Sequence, residues 1–92
     1  MSATYNGWNP LAVKVTVTTG TTAGADITVT GITTSDILLA VIEEDGTSGV
    51  TADNLLSEAS ITDTNDVQCS TTNTTGKVLT IWWLDVSALS EA

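Results

Sequence analysis

The sequence predicts an all-β domain, a small antiparallel β-sandwich or barrel with an extended N-terminal arm. Three observations carry that expectation. Thr fills 19 of 92 positions and Val and Ile are common, whereas Lys, Arg and Gln are nearly absent. Residues stiff at χ1 sit best on a pleated surface. Apolar residues recur every second position along several segments, and polar turn clusters separate those segments at short spacing, as in sandwiches and small barrels. We divide the chain into an arm, residues 1–10, and a single domain, residues 11–92.

The elements follow in order. From Leu11 to Thr18, Leu11, Val13, Val15 and Val17 alternate with Ala12, Lys14, Thr16 and Thr18, which predicts a strand with its valine face in a core. Asp26 to Ile32 repeats the pattern, with Ile27 and Val29 inward. Ile37 to Ile42 is continuously apolar and too short for a helix, so it reads as a central strand covered on both faces. The segment Glu43-Glu44-Asp45-Gly46 after it reads as a solvated turn. Thr51 to Ser57 is open between a connection and one helical turn, because Asp53 suits a helix N-terminus and Leu55-Leu56 follow. Weaker strands at 58–62 and 66–70 flank an Asp63-Thr64-Asn65 turn. Lys77 to Val86 is the last strand, apolar on both faces. Two look-alike segments, Thr18 to Gly24 and Ser70 to Gly76, read as Thr-rich hairpin tips.

Composition removes classes of function. Eleven acidic residues stand against two Lys, giving a net charge of −9, with no His. Duplex nucleic acid is an unfavourable partner for such a chain, because phosphate contacts need Lys and Arg. Imidazole metal sites and Ser-His or Cys-His nucleophile pairs are excluded. Cys69 is the single cysteine, without a base or cation beside it, and reads as a small core residue. No stretch approaches the roughly 18 apolar residues of a membrane span. The N-terminus lacks the basic and apolar regions of a secretory signal, so the expectation is a protein made in a reducing cytoplasm. Asn73-Thr74-Thr75 matches a glycosylation sequon but reads as a turn in that setting.

The acidic residues lack the spacing of known cation loops. Glu43-Glu44-Asp45 does not alternate, and Asp63, Asn65 and Asp66 lack the bidentate Glu that completes a calcium loop. Asp85 is the only carboxylate with apolar neighbours that would raise its pKa for glycosidase work, and a rim position or a pairing with Lys14 or Lys77 is the simpler reading. No catalytic residue, metal or cofactor is expected, and the chain does not read as an enzyme.

Trp82 and Trp83 are adjacent, so they point to opposite faces of one strand. One indole enters the core and the other emerges on an outer face, which we place beside Leu79 and Ile81. That stripe needs a cover: a second sheet, the arm, or another subunit. The expected contact residues are Tyr5 and Trp8 on the arm with Leu79, Ile81 and Trp83. Trp82 is equally eligible, because a strand register can be reversed.

The segments Ala25 to Ile32, Asp36 to Ile42, Ser57 to Thr62 and Thr71 to Leu79 are together similar to small structural proteins of tailed bacteriophages, the head decoration or cement proteins. The resemblance covers about two-thirds of the chain and contains no catalytic motif. It implies a jelly-roll-like β-sandwich, a homotrimer on the outer capsid surface of the virion, and the major capsid protein as partner, with neither nucleic acid nor membrane engaged. The implied role is to bridge capsid subunits against internal pressure. Head-fibre and tail components share this Thr-rich acidic character. A carbohydrate- or receptor-binding module, one indole stacking on a sugar ring, is the alternative from another class.

Overall fold

The computed structural model describes residues 10–44 and 52–89. The expected arm residues Tyr5 and Trp8, and Asp45-Gly46 of the expected turn, lie outside the described residues. Seven strands are present among those described: β1 (Val13–Thr19), β2 (Ile27–Thr28), β3 (Ile37–Glu44), β4 (Ala52–Asn54), β5 (Ala59–Asp63), β6 (Asp66–Cys69) and β7 (Val78–Leu84). They form two antiparallel sheets, one ordered β1-β7-β3-β4 and the other β2-β6-β5. The chain is therefore an all-β, two-sheet sandwich. Short 3₁₀ turns at Pro10–Ala12, Leu56–Glu58 and Val86–Ala88 mark the ends of strands. Within Thr51 to Ser57 the described residues form strand β4 and enter the 3₁₀ turn Leu56–Glu58.

The core lies between the sheets. Ile27, Val29 and Ile32 come from β2 and the segment after it, Val67 and Cys69 from β6, Val41 from β3, and Leu79, Ile81 and Trp83 from β7. Leu38, Leu55, Ala59 and Ile61 pack around this cluster. Asn65 holds a left-handed turn at φ 68° between β5 and β6. Its side-chain oxygen accepts from the Gly31 N–H at 2.7 Å, and its own N–H donates to the Ile32 carbonyl at 2.8 Å. The Asp-Thr-Asn turn therefore stitches the Val29–Ile32 stretch onto the small sheet.

The two Thr-rich segments are not hairpin tips. Each carries the chain from one sheet to the other, β1 to β2 and β6 to β7, and the two segments bond to one another. The Thr21 N–H donates to Thr74 Oγ1 at 3.0 Å, and the Thr74 N–H donates to the Thr21 carbonyl at 2.9 Å. Thr74 is fully buried. Gly20 is required by close approach, since a Cβ there would run into the carbonyl and side chain of Thr74.

Glu43 is a second departure from expectation. It continues the inward alternation of Val41 and is 7% exposed, so it is not part of a solvated turn. The Lys77 ammonium lies 3.8 Å from its Oε2 and supplies the compensating charge. Glu58 fastens the β6–β7 crossing: it accepts from the N–H groups of Thr71 and Thr72 at 3.0 and 2.8 Å and from the Thr72 hydroxyl at 2.7 Å. These bonds, the Thr72 hydroxyl's first, pull its carboxyl from 4.5 down to about 2.

Two outcomes are expected. Gly20→Ala should lower stability by about 1–3 kcal/mol through overpacking against Thr74, read as a lowered urea midpoint at unchanged slope. The unfolded chain binds Glu58's proton at higher pH than the folded chain does. Its contribution is therefore complete above pH 4.5 and is lost as pH falls toward about 2. Urea midpoints across that window should fall less steeply with acid in Glu58→Gln than in the parent; equal slopes would remove Glu58 from the acid response.

Candidate interaction surface

The four-stranded sheet turns one face to the core and the other to water, an arrangement open to antiparallel sheets. Register defines the outer face in cross-strand rows. Val13, Leu84 and Ile37 form one row, in which Leu84 is itself buried, Val15, Trp82 and Ala40 the next, then Val17, Thr80 and Ile42, and finally Thr19, Val78 and Glu44. Trp82 thus lies between Val15 and Ala40. A register irregularity between Leu38 and Ala40 ejects Leu39 on the same strand. Exposure is 48% for Val15, 67% for Val17, 50% for Ile37, 41% for Leu39 and 42% for Trp82. The only charged residue in these four rows is Glu44, at one corner.

This geometry corrects the orientation expected from the sequence. Leu79 and Ile81 are fully buried and Trp83 nearly so, all three in the monomer core, and Trp82 is the indole on the outer face. The valines of β1 are likewise outward, and Lys14, Thr16 and Thr18 share the inner side with Trp83, Ile81 and Leu79. The physical reason is coverage. Strand β2, in the facing sheet, is only two residues long, so the core is centred on β7 and β3 and leaves β1 at the margin. Thr16 is useful at that margin because its hydroxyl accepts from the Trp83 indole N–H at 3.3 Å. A valine could not satisfy that donor. Strand β3 is interior to its sheet but, against expectation, covered on one face only.

Charge is distributed unevenly. All eleven acidic residues lie at or beyond Asp26, and the first 25 residues carry Lys14 alone among Asp, Glu, Lys and Arg. Asp26, Asp63 and Asp66 gather on the smaller sheet, where burial, then Asp26, then Asp63 push the Asp66 carboxyl up. Among the described residues, no three His, Cys, Asp or Glu side chains come together to hold a metal ion. Cys69 is buried, and burial first, then Glu58 and Glu43, pushes its thiol up, as fits a core residue. Asp85 accepts from the Ser87 hydroxyl at 2.7 Å.

An open depression of about 370 Å³ beside the start of β3 is lined by Asp36, Leu38, Leu56 and Ile61 among others. Asp36 is already engaged there, accepting from the Thr33 N–H and hydroxyl at 2.8 and 3.2 Å and from the Val86 N–H at 3.0 Å. Its carboxylate ties the loop before β3 to the turn after β7. No helix among the described residues is long and apolar enough to cross a membrane. Comparison of the chain with family models, curated proteins and solved structures gives no match.

The two indoles predict contrasting substitutions. Trp83→Ser should cost about 3–5 kcal/mol, as truncation of a buried Trp does, whereas Trp82→Ser should cost no more than about 1 kcal/mol. Urea unfolding of both variants checks this; equal losses would mean that Trp82 is covered within the chain.

Proposed function

We propose that this chain is a non-enzymatic structural subunit that docks through the outer face of its four-stranded sheet, and specifically a capsid decoration protein on a phage head. One observation carries the reading: Val13, Val15, Val17, Ile37, Leu39 and Trp82 make an exposed apolar face nearly free of charge on a chain of net charge −9. A monomer gains nothing from keeping such a surface in water, and contiguous apolar patches of this kind mark interaction sites. Trp82, ringed by Val15, Ala40 and Thr80, has the position of an interface anchor. The acidic remainder opposes packaged nucleic acid and favours the outside of a shell. Lattice binding would also stabilise a small domain by mass action.

The test is co-sedimentation of the protein with heads of the phage that encodes it. Trp82→Ser should weaken binding by about 30-fold or more, the effect of losing an anchor worth about 2 kcal/mol, with the fold intact. Binding unchanged by Trp82→Ser and by Val15→Asp would remove this face from the mechanism. The half-exposed indole also supports a second reading, a glycan-binding surface. A saccharide that quenches or shifts Trp82 emission, with no head binding, would favour it.

A further inference from the structure

Strand β1 is the edge of its sheet, and its backbone can be oriented residue by residue. At its two ends the Asp85 N–H donates to the Ala12 carbonyl at 2.8 Å, and the Gly20 N–H donates to the Lys77 carbonyl at 3.0 Å. Both pairs continue the register in which Val13 faces Leu84 and Thr19 faces Val78. Hydrogen-bonded and non-bonded positions alternate along an antiparallel ladder. Lys14, Thr16 and Thr18 therefore aim their backbone groups at β7. Val13, Val15, Val17 and Thr19 aim theirs away from it, where no described strand lies.

Exposed edges are ordinarily blunted by shortness, charge, proline or a bulge. Strands β2 and β4 have two and three residues, and β5 ends in Asp63 with a register irregularity beside it. Strand β1 has seven residues, the positions that aim away from β7 are Val or Thr, its one charge is Lys14 at a position that aims at β7, and its pairing with β7 is unbroken.

We propose that a second copy of this chain pairs with β1 edge to edge, antiparallel about a two-fold axis at Thr16. In that register Val15 faces Val17 of the second copy and Val13 faces its Thr19, so every outward-aimed residue meets another in a hydrogen-bonded pair. Lys14 falls opposite Thr18, and no like charges are juxtaposed. Electrostatics favours this occupant at this edge: two copies of net charge −9 repel, and β1 lies within the 25-residue stretch that has no acidic residue. The pairing makes one eight-stranded sheet in which the valine rows of the two copies adjoin on the outer face. It goes beyond the docking role proposed above, resting on the strand edge and not on the sheet face.

Amide hydrogen exchange measured at several protein concentrations, with molar mass by light scattering on the same samples, tests it. The expected result is a mass of two chains, with the amides of Val13, Val15, Val17 and Thr19 gaining at least about tenfold protection as the dimer forms. The amides of Thr16 and Thr18 should be protected at all concentrations by β7. Val15→Pro removes only an outward N–H and should give a folded monomer. Should that variant not fold, the exchange pattern of the parent still decides. A single-chain mass throughout, or odd-numbered amides whose protection does not follow concentration, would overturn the pairing. A trimer mass would overturn it too, while leaving head binding and the Trp82 face to be judged by their own assay.

Discussion

Consecutive residues of a strand point to opposite faces, so Trp82 and Trp83 cannot both leave water through one core. Everything else in the domain follows from how β7 resolves this. It lies between β1 and β3 and gives Leu79, Ile81 and Trp83 to the space between the sheets. The smaller sheet covers that side and no other. Trp82 is then left on the outer face with the valines of β1 and with Ile37 and Leu39 of β3. A sheet face charged only at its Glu44 corner, on an otherwise acidic body, is a consequence of this strand having two apolar sides.

The sheets are held together at one end by polar chemistry more than by apolar contact. The two crossings between them bond to each other through Thr21 and Thr74, and Gly20 is bare because Thr74 approaches so closely. Glu58 adds three acceptor contacts to the second crossing, and the Lys77–Glu43 pair lies where that crossing enters β7. Only the Glu43 side of this pair is buried, the Lys77 side chain being 39% exposed, so the pair adds little net stability while loss of the lysine leaves a buried carboxylate without its counter-charge. The four-stranded sheet carries its carboxylates, Glu43, Glu44 and Asp53, on β3 and β4, which leaves β1 as its least repulsive edge.

Much of this fold was legible in the residues. Strand positions followed from two-residue alternation, and the Asp63-Thr64-Asn65 turn from side chains that bond their own backbone. What alternation does not carry is the direction of a face. Apolar stripes ordinarily face a core, so alternation alone sends the Val13, Val15 and Val17 series inward and leaves the stripe of Leu79, Ile81 and Trp83 outward. Both were reversed, because the extent of the facing sheet decides coverage and the two-residue length of β2 cannot be read from local pattern. Thr16 held a usable signal: a hydroxyl at an inner position opposite an indole supplies the acceptor that a buried Trp requires. Glu43 held another, since it continues the Val41 phase, but an acidic run before Gly imitates a turn. The kinship of the two Thr-rich segments was visible, and their mutual contact was not, because it joins residues 53 positions apart.

The central claim is that the outer face of the four-stranded sheet is covered in the working assembly. Side-chain footprinting by hydroxyl radicals, comparing the free protein with the protein mixed with the phage heads proposed as its partner, addresses it most directly. The account predicts slowed oxidation of Val15, Val17, Leu39 and Trp82 on the particle, with Ile61 and Gln68 of the smaller sheet unchanged. Oxidation of the outer-face residues at the free rate, with protection on the smaller sheet instead, would contradict it.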